Sequence, residues 1–400
     1  MAGPLSGVKV LAIEQMQAMP YGTQLMGWLG AQVIKIEPTF GEAGRTSTPA
    51  LRDIDGESVG ATYLRNNLGK QSVCINLKDP EGVELVRSLI AHFDVLAENY
   101  RPGTLDRLGI GYESVRRDYP GIIYASVSGF GEDVDSPYRD WPAYAPIVEA
   151  MAGFYELRRH EGGAPSVGMG AAFGDIGASI FAVIGILAAL RARDISGIGQ
   201  HVDVSMFDSM IALGDMISFM PSMGAPHPLS RPRGLVEAFA AKDGYFVTSI
   251  LREHQFARLA ALLGHDEWLT DERLASRQGW VDYCDQIIRP VIEQWASSLT
   301  KIEACNRLGE VGIAAGPSNT YEDLASDPHV LSHKMLLKVE RPDSTEPLVV
   351  SGQPIKFSDT PSEASGTWPR LGANTDDVLR DLLGISEERI QELKLRGVVR

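Results

Sequence analysis

The chain is poor in cysteine, in excess positive charge and in long apolar runs, and each shortage excludes something. Its 400 residues contain three cysteines, Cys74, Cys284 and Cys305. They form no CxxC pair and leave one over, so neither a disulfide framework nor a zinc site is expected. Inert, buried thiols are the expectation instead. Lys and Arg number 37 against 52 Asp and Glu, a net charge of -15. Nucleic-acid binders need a basic surface, so an anionic ligand here must find a local basic pocket. The longest apolar stretch, Ile176 to Leu190, ends at Arg191-Ala192-Arg193. It is expected to be a buried core helix, too short for a membrane span of about 18 residues or more. Met1 to Val10 lacks the basic-then-apolar pattern of a signal peptide, which leaves the cytoplasm as the expected compartment. GxGxxG, HExxH, GxSxG, Walker A and EF-hand patterns are all missing, and the eight histidines do not cluster. No metal ligands are therefore assigned.

What is present is the composition of a folded α/β protein. Apolar residues make up 44% and charged residues 22%, and this length favours two lobes with separate cores. Val8–Glu14 reads as a strand, Tyr21–Leu29 as a helix and Gln32–Ile36 as a strand, a βαβ unit. Further strands fall at Ser72–Leu77, Asp94–Ala97, Gly121–Val127 and Val202–Met206. Between the first two of these lies a helix opened by Asp79 as N-cap and Pro80 as first residue. Alternation of this kind predicts a mostly parallel sheet covered on both faces. Phe219 to Gly234, rich in Met, Pro and Gly, reads as a linker. Beyond it Leu235–Ala240 and Tyr245–Ile250 flank Lys242-Asp243-Gly244 as a hairpin. The expected division is thus a large domain over 1–218, a linker over 219–234, a small α+β domain over 235–316 and a return to the large domain over 317–400. Thr375 is the expected cap of a terminal helix.

Glu37, ending the second strand, stands where a dinucleotide-binding fold places its ribose-binding acid. The turn Gln15 to Gly22 has no GxGxxG pattern to let backbone approach a pyrophosphate, which argues against such a site. The unusual acid is Asp175, in Gly168-Met169-Gly170-Ala171-Ala172-Phe173-Gly174-Asp175-Ile176-Gly177, just before the most apolar helix. One reading makes it an N-cap. The other makes it a nucleophile, with glycines clearing an approach to the carboxylate and the helix dipole favouring the anion.

Several stretches resemble the class III CoA-transferases, the formyl-CoA transferase and carnitine CoA-transferase (CaiB/BaiF) family. They are Pro4 to Leu11, Met26 to Glu37, Asn66 to Lys70, Leu77 to Gly82, Glu98 to Gly103 with Leu105 to Gly109, Ser126 to Gly131, Gly174-Asp175, Gly197 to Ser205 and Leu371 to Asp376. The resemblance implies a Rossmann-like large domain, a smaller α+β domain and an interlocked homodimer. It further implies CoA transfer from an acyl-CoA to a free carboxylic acid, with Asp175 as nucleophile and mixed anhydrides and an aspartyl-CoA thioester as intermediates. Acyl-CoA is a substrate in such a scheme, and no tightly bound cofactor, nucleic acid or membrane partner is implied. CoA contacts carry over to Gln17, Ala18, Ile75, Lys78, Asn99, Tyr100 and Arg107, the last of these and Lys78 supplying positive charge. Two departures stand out: Pro38 replaces a CoA-contacting arginine, for which Arg45 is the candidate substitute, and the family's glycine-rich loop is not visible. The alternatives are the related 2-methylacyl-CoA racemase, which needs a histidine where this chain has Pro142-Ala143-Tyr144-Ala145, and a noncatalytic CoA-binding protein.

Overall fold

The computed structural model describes residues 3–132, 135–158, 163–168, 170–214, 216–224 and 234–400. The chain divides into two compact units, one of 1–219 with 332–400 and the other of 220–331.

The large unit is built on a parallel sheet of six strands: β1 (Lys9–Ile13), β2 (Gln32–Glu37), β3 (Gln71–Cys74), β4 (Val95–Glu98), β5 (Ile123–Ser128) and β6 (His201–Ser205). Their order is β3-β2-β1-β4-β5-β6, that of a doubly wound dinucleotide-type fold. In-register pairs such as Val10 with Val33 and Leu11 with Leu96 leave alternate residues on opposite faces. Leu11, Ile13, Ile34, Ile36 and Leu96 pack on helix α2 (Pro80–Ile90) and on the C-terminal helices α6 (Thr375–Leu383) and α7 (Glu387–Leu395). Val10, Ala12, Val33, Ala97 and Ala125 pack on α1 (Pro20–Trp28) and α4 (Phe173–Ser196). Burial on both faces explains why these strands read as unbroken apolar runs. As expected, Asp79 caps α2, its side chain accepting the Glu81 N–H with Pro80 first in the helix.

Two shorter helices, α3 (Ala145–Met151) and α5 (Met206–Leu213), pack against α4. At 24 residues α4 extends well beyond both ends of Ile176–Leu190 and is long and apolar enough to cross a bilayer. Its Ala178, Ala182, Ile186 and Ala189 are nevertheless in the sheet core. The helix is not buried all round: Ile180 and Ile184 are exposed.

Edge strand β3 is covered by the C-terminal segment. Asn374 and Ser72 exchange hydrogen bonds, Cys74 N–H donates to Thr375 Oγ1, Asn76 N–H donates to the Val398 carbonyl, and Ile75 bridges to Val399. Thr375 is consequently the first residue of α6 rather than its cap. Its hydroxyl accepts from the edge strand and donates to the Gly372 carbonyl. In the linker, Met216–Ser222 is helical, and residues 225–233 lie outside the described residues.

The small unit carries an antiparallel sheet of β7 (Leu235–Ala241), β8 (Gly244–Ile250) and β9 (Ala314–Pro317), ordered β9-β8-β7. Phe239, Phe246, Phe256 and Trp280 fill its core, and the Phe256 and Trp280 rings stack with centroids 4.4 Å apart. Helices Tyr321–Ser326 and most of Pro328–Ser332 fall within it, so it runs to Leu331, past the boundary expected at residue 316.

Under the carboxyl ends of β1 and β2 lies a group of buried charges. Arg45 donates from Nε and Nη2 to the two Glu37 carboxylate oxygens at 2.7 Å each. Lys70 Nζ stands 2.6 Å from Glu14, and Lys35 Nζ 3.3 Å from Glu42. Burial opposes ionisation of Glu37, but its Arg45 hydrogen bonds and charge, with Lys35 and Ser72, hold the carboxyl below its ordinary value. Removing one member of a buried pair strands the other charge at a cost of roughly 3–5 kcal/mol. Arg45→Met should therefore lower the urea midpoint sharply, and Arg45→Met with Glu37→Leu should be less unstable than the two single losses added together. Strict additivity would show that the pair is not coupled.

Candidate active site

In doubly wound sheets the loops that follow the strands part where the strand order reverses. Here that point lies between β1 and β4, and a cleft of about 270 Å³ opens there, lined by the loops after both strands and by the start of α4. Gln17, Ala18, Asn99, Tyr100 and Asp175 all line it. Of the other expected contacts, Ile75 is buried in the sheet core, while Lys78, in the turn after β3, and Arg107, at the end of the short helix Thr104–Arg107 after β4, are exposed and do not line the cleft.

Three interactions hold the turn after β1. Asn99 Oδ1 accepts the Gln15 N–H at 2.9 Å and Asn99 Nδ2 donates to the Gln15 carbonyl at 2.7 Å, so the Asn99 amide fixes the loop. Glu42 accepts the N–H of Met16 at 3.2 Å. Met16 has a φ of 60°, a left-handed conformation that costs a non-glycine residue energy and persists only where the surroundings impose it. Ser179 of α4 donates to the Ala18 carbonyl and to that of Asp175, tying the loop to the turn that carries the acid. Gln17 is buried; its Oε1 accepts from Arg65 at 3.4 Å and its Nε2 has no partner.

Asp175 is the third residue of α4, and Ala172 occupies the N-cap position without a side-chain hydrogen bond. The capping role belongs to Glu149 of α3. Its Oε1 accepts the Gly174 N–H at 3.1 Å, and its Oε2 accepts the Tyr155 hydroxyl at 2.5 Å. The glycines also differ from expectation. A Cβ on Gly174 would lie 2.6 Å from Val148 and one on Gly177 would lie 2.6 Å from Leu213. These two glycines admit neighbouring helices, not a ligand, and the Gly174 N–H is already taken. Met169 lies outside the described residues, and around Gly168 and Gly170 the space is open.

Burial, then the Glu149 charge, push the Asp175 carboxyl up to about 6, against the opposing charge of Arg65. Glu37 and Arg45 are both removed from service. Glu37 is fully buried and engaged with Arg45, Tyr63 and Ser72. Arg45, equally buried, cannot replace the missing contact at Pro38. Positive charge at the cleft comes instead from Arg101 and Arg139 in its lining and from Arg65 beside Gln17. Arg101 falls inside a family-like stretch and Arg65 directly before one, so position relative to those motifs was the available signal. For Glu149 the sequence offered none. Among the described residues no group of three or more His, Cys, Asp or Glu side chains is placed to hold a metal.

The CoA-transferase family III profile matches residues 5–375, and the chain belongs to that family of enzymes. It is 31% identical to the succinyl-CoA–L-malate CoA-transferase beta subunit of Chloroflexus aurantiacus, over 99% of this chain and 98% of that one. With the succinate–glutarate CoA-transferase of Agrobacterium fabrum identity is 33%, over 95% of this chain and 96% of the relative. Among solved structures, a CaiB/BaiF family protein from Brucella suis superposes with a TM-score of 0.83 at 30% identity, covering 96% of this chain and all of that one.

An acid whose folded value lies above the ordinary 3.8 destabilises the fold once ionised, fully so above about pH 6. Asp175→Asn removes that charge. At pH 8 the variant should melt at or above the wild-type temperature, and the gap should close as the pH falls below 6. Calorimetry across that range measures it, and a variant less stable at every pH would contradict the stated environment of Asp175.

Proposed function

We propose that the protein transfers coenzyme A from an acyl-CoA thioester to a free carboxylic acid, with Asp175 as the covalent nucleophile. The observation that carries this reading is the half-buried carboxylate in a cleft, uncapped by any side-chain role and more basic than an ordinary aspartate. A nucleophile gains reactivity from raised basicity provided it remains ionised at working pH, and a value near 6 meets both conditions.

In this scheme the Asp175 carboxylate attacks the thioester carbonyl and expels CoA thiolate, giving a mixed anhydride. The thiolate then attacks the aspartyl carbonyl, releasing the donor acid and leaving an aspartyl-CoA thioester. An acceptor carboxylate attacks that thioester, and the same two steps run backwards with the new acid. One thioester replaces another, so no ATP is consumed. Each tetrahedral intermediate carries an oxyanion, for which the unpaired Gln17 Nε2 is a buried donor in the same cleft. The CoA portion reaches the site past Ala18, Asn99 and Tyr100, with the adenine near Tyr100 and the exposed cations Lys78 and Arg107 within the CoA path. Ile75 supports that path from the core.

Asp175→Asn should lower turnover by about a thousandfold or more, by analogy with other covalent nucleophiles. Wild-type protein held with acyl-CoA and no acceptor, then trapped with hydroxylamine or borohydride, should carry the modification on the peptide containing Asp175. An unmodified peptide together with an active Asn variant would reject the scheme.

The working form is proposed to be an interlocked homodimer in the cytoplasm. Ile180 and Ile184 of α4, with Ile211 and Leu213 of α5, are between 43% and 55% exposed in the chain by itself. An exposed apolar row of this kind marks an association surface. Sedimentation at nanomolar concentration should show a dimer, and an active monomer there would refute the assembly.

A further inference from the structure

Glu149 does more than a cap requires. Gln would accept the Gly174 N–H as well, whereas Glu149 brings a full charge to the residue preceding Asp175. That charge is held in place. Glu149 is 1% exposed, and with one oxygen on Gly174 and the other on Tyr155 it can neither swing away nor be well screened by water. Of the charged and titratable groups around Asp175, Arg65 opposes the Glu149 effect, and Arg101, Arg139, Tyr100 and Tyr144 line the cleft.

We infer that Glu149 is a positioning residue whose charge drives Asp175 out of its anionic form and into the covalent one. The inference rests on Asp175 being the nucleophile. The net half-reaction converts the Asp175 carboxylate and an acyl-CoA into aspartyl-CoA and a free carboxylate. The carbon–sulfur bond to the donor acyl group breaks and one to the aspartyl carbon forms, while one Asp175 carboxyl oxygen passes to the donor acyl carbon and leaves with it, with no change in oxidation state. The negative charge is transferred to the departing acid, which leaves for water. Like-charge repulsion between Glu149 and Asp175 is present before this step and absent after it, so it favours the covalent form by the same electrostatics that favour protonation of Asp175. The departing carboxylate is repelled by the same charge.

Glu149→Gln keeps an acceptor for Gly174 and removes the charge. With succinyl-CoA and succinate at fixed ratio as the probe, intact mass should show the equilibrium constant for the Asp175–CoA adduct falling about tenfold. The acid limb of kcat/KM should move down by about one pH unit, the same free energy read another way. Glu149→Asp keeps the charge but withdraws it by one methylene, and should fall between Gln and wild type. It carries the test alone should the Gln variant not fold. A folded Glu149→Gln protein with adduct constant and acid limb unchanged would reduce Glu149 to a cap while leaving the nucleophile intact. Absence of any adduct in the wild type would instead remove the nucleophile itself, and this inference with it.

Discussion

The site depends on charges placed where a fold ordinarily keeps apolar side chains. Glu14, Lys35, Glu37, Glu42, Arg45 and Lys70 are all buried at or near the carboxyl ends of β1 and β2. Desolvation of such groups is expensive and is offset only by short, well-aligned pairing. The strain shows in Lys70, which burial pushes down to about 8 despite its contact with Glu14. What the arrangement supplies is rigidity of the turn above it. Glu42 accepts both the Met16 and Gly44 N–H groups while bound to Lys35, so the left-handed turn at Met16 rests on an ionic floor rather than on its own preference.

A second constraint is the close approach of α4 to its neighbours. Small residues on its inner side let α1, α3 and α5 come near: a Cβ on Gly22 of α1 would lie 3.0 Å from the Ser179 carbonyl, and Gly174 and Gly177 admit α3 and α5. That proximity lets Glu149 reach the first turn and Ser179 reach the β1 loop. Packing and electrostatics are therefore one arrangement: a methyl group at Gly174 would displace α3 and with it the acid that faces Asp175.

The sequence was most legible where structure is local. The βαβ unit, the Asp79-Pro80 start of α2 and the small-unit hairpin each depend on residues a few positions apart, and the structure contains each of them. Errors came from distance along the chain. The partner of the α4 N-terminus lies 25 residues earlier, so local spacing leaves the cap reading of Asp175 open and makes its flanking glycines read as a ligand approach. The side chain of Thr375 is claimed by a strand 301 residues away, and Arg45 looked free because nothing in spacing reveals its bidentate hold on Glu37. The family resemblance names Gln17, Ala18, Asn99, Tyr100 and Asp175, and the structure brings all five to one cleft, four of them on the loops after β1 and β4 and Asp175 on the first turn of α4. The resemblance could not say that the Asn99 amide is spent on Gln15 or that Ile75 points into the core.

The cover over edge strand β3 has a consequence for synthesis on the ribosome. Ser72 waits for Asn374, 302 residues later, and at about 5–20 residues per second translation needs on the order of 15–60 s to deliver it. Through that interval the nascent sheet presents unpaired backbone at its rim, the feature that recruits foreign strands. The C-terminal segment therefore serves the sheet as a late-arriving edge guard, closing the rim of β3 only when the chain is complete through residues 374 to 399.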